Sequence, residues 1–147
     1  MDSYWIDANV LIEASNGLYS LDLAPPFWSF LDAQVELGRI RASTKIYAEI
    51  LKYEEAKDRL AQWVKHRRTG GMFVAPDKDV QNAFSDIANY VAQKYTGRRP
   101  KAAEFLRGGD GWIIAHAKCG KGTVVTHESR VDSLSMTPKI PNVCTHF

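Results

Sequence analysis

Short apolar runs alternate with helix-length amphipathic stretches along this chain, and that alternation restricts its fold more than any other feature. Residues 3–6 form the first run, which ends at the polar corner Asp7-Ala8-Asn9. Val10, Leu11, Ile12 and Ala14 then keep helical spacing until Asn16-Gly17 stops them. Pro25-Pro26 opens a second helix over 27–37, which Gly38 closes. A brief strand at 39–43 precedes helices over 45–52 and 54–66, and Gly70-Gly71 leads into a buried strand at 72–75. Pro76-Asp77 starts a long helix whose Val80, Phe84, Ile87, Val91 and Tyr95 share one face. A basic connector at 98–100, helices at 101–106 and 111–119, and strands at 123–126 and 142–144 complete the set. Strands separated by helices cannot pair as hairpins, so the expected fold is α/β: a central, mostly parallel sheet of about five short strands, covered on both faces.

The 147 residues fit one domain, expected to span 1–147, and sixteen aromatics with 45% apolar residues can fill its core. Apolar stretches fall well short of the ~20 residues of a membrane span, and Asp2 stands where a signal peptide is basic. Cys119 and Cys144 make neither a disulfide framework nor a CxxC pair and read as buried thiols, so a reduced, cytoplasmic protein is expected. No P-loop motif is present, and His66, His116, His127 and His146 lack zinc-hydrolase spacing. The net charge of +2 conceals a division: residues 1–38 hold six acids and no Lys or Arg, while 39–72 and 94–121 are each net +5. Basic blocks beside an acidic one suit a nucleic-acid surface around a metal-binding acid cluster, although charge runs are more often solvated helix faces.

Functional groups of a parallel sheet gather at the carboxyl ends of its strands. Asp7 follows the first strand, Glu128 follows the strand at 123–126, and Asp110 begins the helix leading into that strand. Glu49 lies about 60° from Ile46 and about 40° from Tyr53 on its helical wheel, at the border of the buried stripe; Lys45 and Lys52 read as facing the opposite side. Each acid also has an ordinary reading. Asp7 and Asp110 suit helix caps, Glu128 a solvated loop, and Glu49 a snorkelling side chain. Together, four carboxylates at one edge repel unless protonated or holding cations, and hard oxygen donors select Mg2+ or Mn2+.

The segments Trp5-Ile6-Asp7-Ala8-Asn9-Val10-Leu11-Ile12, Gly109-Asp110-Gly111-Trp112-Ile113-Ile114-Ala115-His116-Ala117 and Val124-Val125-Thr126-His127-Glu128, with Glu49 in its helix, resemble a PIN-domain ribonuclease. They are most similar to a PIN-like branch grouped with toxin–antitoxin proteins. Asp7-x-Asn9 matches the family's opening motif, and Thr126-His127-Glu128 matches its Thr-x-Asp element with Glu for Asp. The resemblance implies a three-layer α/β/α sandwich with 139–144 as a last strand. It also implies Mg2+- or Mn2+-dependent RNA cleavage, an antitoxin partner and a possible homodimer. Asp7, Asp110, Glu128 and Glu49 become the implied metal-ligating and catalytic set, with Asn9 and Thr126 holding the carboxylates behind them. Lys45, Arg98, Arg99, Arg107 and Arg130 are candidate phosphate contacts.

Two other classes compete. A haloacid-dehalogenase-like phosphatase would also place a nucleophile at Asp7, but Asn9 stands where it wants a second Asp. A non-catalytic RNA-binding or assembly module would gain nothing from retaining four acids.

Overall fold

The computed structural model describes residues 2–53 and 58–147; residues 54–57, where the expected 54–66 helix begins, lie outside the described residues. In chain order the elements are β1 (Tyr4–Ile6), α1 (Ala8–Asn16), α2 (Pro25–Glu36), β2 (Ile40–Ser43), α3 (Thr44–Tyr53), α4 (Arg59–His66) and β3 (Phe73–Val74). They continue with α5 (Lys78–Lys94), a 3-10 turn (Thr96–Arg98), α6 (Arg99–Arg107), α7 (Asp110–Gly120), β4 (Thr123–Val125) and α8 (Ile140–His146). The four strands are ordered β3-β2-β1-β4 and every pairing is parallel, so the chain is an α/β fold with helices on both faces of the sheet. Among the described residues no helix is long and apolar enough to cross a membrane.

Strands of two to four residues bury little by themselves, and the helices supply the rest of two apolar layers. One layer packs Leu11, Trp28, Leu31, Ile46, Ile50, Leu60, Trp63 and Val64 beneath α1–α4. The other packs Trp5, Ile87, Val91, Phe105, Ile113, Ile114, Ile140 and Val143 beneath α5–α8. Local chemistry sets the boundaries. Pro25-Pro26 sits in the first turn of α2, Asp77 accepts from Val80 N–H (2.9 Å) to start α5, and Ser43 Oγ accepts from Lys45 N–H (3.2 Å) at the head of α3. Trp28 and Trp63 meet edge to face at 5.0 Å in the core. Gly120 does not end α7; Lys121, in the left-handed region at φ 50°, closes it one residue later.

Among the described residues the sheet has four strands, not five. Residues 142–144 lie within helix α8, so the segment 139–144 supplies no last strand. Pro141 has no N–H for a strand ladder, but its fixed φ suits a first helical turn, where Ile140 and Val143 share the buried side. The basic connector is likewise helical, with Arg98 ending the 3-10 turn and Arg99 opening α6. Cys119 is exposed, contrary to expectation, because it falls at the open end of α7. Cys144 is half-buried, and burial raises its thiol to about 11.

Candidate active site

Register places Asp7. The β1–β4 pairing sets Tyr4 beside Thr123, Trp5 beside Val124 and Ile6 beside Val125, so Asp7 and Thr126 emerge together at the carboxyl edge. Asp7 N–H donates to Val125 C=O at 3.0 Å, and Thr126 Oγ1 donates to Asp7 Oδ2 at 3.2 Å. That hydroxyl also accepts from Glu128 N–H at 3.1 Å, which ties two of the acids through one side chain. Asp7 precedes α1 but makes no side-chain cap bond and is only 1% exposed. Capping does not account for that burial.

Asp110 is the first residue of α7 and not its N-cap, a place Gly109 takes. Glu49 reaches it from α3, with Oε2 accepting from Gly109 N–H at 3.1 Å. The approach of α3 to the start of α7 requires glycine. A Cβ at Gly109 would collide with Ile46 Cδ1 and stand 2.8 Å from Glu49 Oε2, and one at Gly111 would stand 2.9 Å from the Phe84 ring. Glu128 closes the cluster from the other side: Oε2 accepts from Ile140 N–H at 2.7 Å, and Oε1 lies 3.5 Å from Lys139 Nζ.

Asp7 and Asp110 feel the charges of the acids around them. Burial first, then the negative charges of Glu49 and Glu128, raises Asp7 to about 6 against the pull of the Thr126 hydrogen bond. Burial, then Asp7, Glu128 and Glu49, raises Asp110 to about 8, with Lys139 opposing. Neither Asp7 nor Asp110 has a salt-bridge partner among the described residues. As their side chains stand, no group of three or more His, Cys, Asp or Glu is arranged to hold a metal ion among those residues. Both glutamates are turned to backbone N–H groups and Asp7 holds the Thr126 hydroxyl at Oδ2, while among the described residues no hydrogen bond or ion pair takes the Asp110 carboxylate. Two carboxylates fit Mg2+, which keeps several waters and commonly takes only one or two from a protein.

Two depressions reach the cluster. A cleft of about 720 Å³ between α3 and α6 is lined by Lys45, Glu49, Lys52, Arg107 and Gly109. A hollow of about 140 Å³ holds Asp110, Glu128, Lys101, Thr137 and Lys139. Lys45 and Lys52 therefore share a cleft with Glu49 and do not face away from it. Their i, i+4, i+7 spacing puts all three on one helical stripe. Lys45 and Arg107 flank the cluster as expected. Arg98 instead donates to Thr137 Oγ1 at 3.4 Å, Arg99 is exposed on the first turn of α6, and Arg130 lines a separate hollow with Tyr90 and His146. Thr126 stands behind the carboxylates as expected; Asn9 is exposed on α1 and makes no side-chain hydrogen bond to them. His127 lies 3.6 Å from Glu13, away from the acids. Lys52, Lys101 and Lys139 were not singled out by the sequence reading. The stripe spacing signals Lys52; no local pattern signals Lys139.

No curated protein and no solved structure matches the chain. One family model, described as a domain of unknown function (DUF4411), matches residues 4–147, a span that takes in all four acids and every element from β1 to α8. The chain belongs to the DUF4411 family.

Proposed function

We propose that this protein is a ribonuclease that hydrolyses RNA phosphodiester bonds with a bound Mg2+ or Mn2+ ion. One observation carries the reading: buried Asp7 and half-buried Asp110, drawn from opposite parts of the sequence, stand close enough for the charge of Asp7 to reach Asp110, and neither has an ion-pair partner among the described residues. Carboxylates kept at that electrostatic cost suit a divalent cation better than they suit the fold. Such an ion supplies activation of water and charge stabilisation on the leaving oxygen.

The chain's own groups have separable tasks. Asp7 and Asp110 would hold the ion. The Thr126 hydroxyl fixes Asp7 Oδ2, and Gly109 N–H fixes Glu49 beside Asp110. Glu49 and Glu128 would orient water beside them. Lys45, Lys52 and Arg107 line the approach and bind phosphates of a single strand. In this reading the enzyme is the cytoplasmic toxin of a toxin–antitoxin pair. The resemblance of its motifs to PIN proteins supports that role and the antitoxin partner.

Purified protein should cut single-stranded RNA with Mg2+ or Mn2+, leave 5′-phosphate and 3′-hydroxyl ends, and stop when chelated. Cyclic-phosphate ends formed equally in chelator would remove the metal from the mechanism. Expression in a host lacking the antitoxin should arrest growth, and Asp110→Asn should relieve the arrest. Unimpaired growth on expression of active nuclease would remove the toxin role.

A further inference from the structure

We propose that the ammonium group of Lys139 is the resident cation of the carboxylate cluster, occupying the place of a second divalent ion, so that the site takes one ion. This rests on the reading that the cluster binds a divalent ion at all. The geometry begins with Glu128, which grips two successive residues: Oε2 takes Ile140 N–H at 2.7 Å while Oε1 lies 3.5 Å from Lys139 Nζ. Ile140 is 1% exposed and Val143 is fully buried, so α8 is anchored in the core and the backbone of Lys139 is held with it. The lysine stem is therefore tethered at the acid edge.

Lys139 also shares the small hollow with Asp110 and Glu128, the two members of the cluster that line it. Its charge reaches Asp110 there and, among the described residues, opposes the three negative neighbours Asp7, Glu128 and Glu49. The other lysine of the hollow, Lys101, pairs with Glu104 at 3.0 Å. Lys45, Lys52 and Arg107 lie on the Glu49 side, in the larger cleft. The cluster is thus asymmetric: among the described residues neither Asp7 nor Asp110 has an ion-pair partner, while Glu128 has Lys139. A divalent ion between Glu128 and Asp110 would meet the ammonium within a few ångströms and be repelled. An ion between Asp7 and Asp110 would not.

Mn2+ binding to metal-free protein, read from the loss of the free-ion electron paramagnetic resonance signal, tests this directly. Wild type should bind one Mn2+. Lys139→Met keeps the stem but removes the charge, and should bind two, with the second site at least about tenfold tighter than any residual site in wild type. Lys139→Arg restores the charge and should return the count to one. Far-UV circular dichroism identical to wild type would show that α8 remains in place. Two ions in wild type, or one ion in Lys139→Met, overturns the proposal and leaves the metal reading standing. No ion bound by wild type overturns both.

Discussion

Replacing Asp110 with Asn separates a structural acid from a metal-binding one. Asn is nearly isosteric and serves as well near a helix N-terminus, so a purely structural Asp110 predicts little change. The cluster predicts a rise in metal-free stability at neutral pH. Asp110 is raised to about 8 in the folded chain from an ordinary 3.8. The folded state therefore holds this proton more tightly than the unfolded chain does. The resulting stability is fully present below about pH 4 and is lost as pH climbs through about 8. At pH 7 roughly three pH units of that interval have been crossed, worth at most about 4 kcal/mol at 1.36 kcal/mol per unit. Asp110 is only half-buried, so water screens part of this, and on the order of 2 kcal/mol is expected. For a chain of this size that corresponds to a melting temperature roughly 4–8 °C higher in the mutant. The two proteins should converge near pH 4. Saturating Mg2+ should stabilise wild type, by about 2.7 kcal/mol at a hundredfold excess over Kd, and the mutant by much less. Melting curves across pH 4–8, with and without Mg2+, read both effects. A mutant that melts at or below wild type without metal and keeps the full Mg2+ gain would refute the assignment of Asp110.

His116 is buried against Trp5, stacked at 4.6 Å, and burial lowers it to about 4. Because its folded value lies below the ordinary 6.5, its contribution to stability is present above pH 6.5 and lost as pH falls toward 4; His116→Phe should flatten that limb in thermal melts. Gly109→Ala should cost about 1–3 kcal/mol in denaturant unfolding and weaken the Mg2+ response, because its Cβ pushes against Ile46 and the Glu49 carboxylate. RNA affinity should fall steeply with salt, at a log–log slope of about 0.7 per phosphate contact. Lys45→Glu and Arg107→Glu should weaken binding in filter assays, whereas Arg130→Glu, in a separate hollow, should not.

Alternation of runs was legible because it is a local property: residues 3–6, 39–43, 72–75 and 123–126 each contain an observed strand, and the helices between them follow from their periodicity and stops. The segment 142–144 misled because Val143 and Cys144 favour strands, while Pro141, two residues before Val143, favours a first helical turn and carries more weight. Asp7, Thr126 and Glu128 could be placed together because strand ends share an edge, although their actual connection is one hydroxyl whose partners depend on register. Lys139 was not legible. Its link to Glu128 crosses a loop of irregular backbone, for which no periodicity exists. Arg98, Arg99 and Arg130 share the sign of charge of Lys45 and Arg107, and composition carries no direction that would sort them.

The bond between Thr126 and Asp7 spans 119 positions of sequence. On a ribosome adding about 5–20 residues per second, roughly 6–24 s separate the synthesis of the two residues. Until β4 is made, β1 waits with one side unpaired and Asp7 has neither its hydroxyl partner nor Glu128 nearby. The nascent chain can build most of the α1–α4 layer early, since its buried members precede position 74 and only half-buried Val125 is added by β4. The acid edge comes last. Synthesis itself therefore acts as a timer on whatever this cluster does, and a truncated product ending before residue 123 would carry Asp7, Glu49 and Asp110 without the strand that brings Thr126 and Glu128 to them.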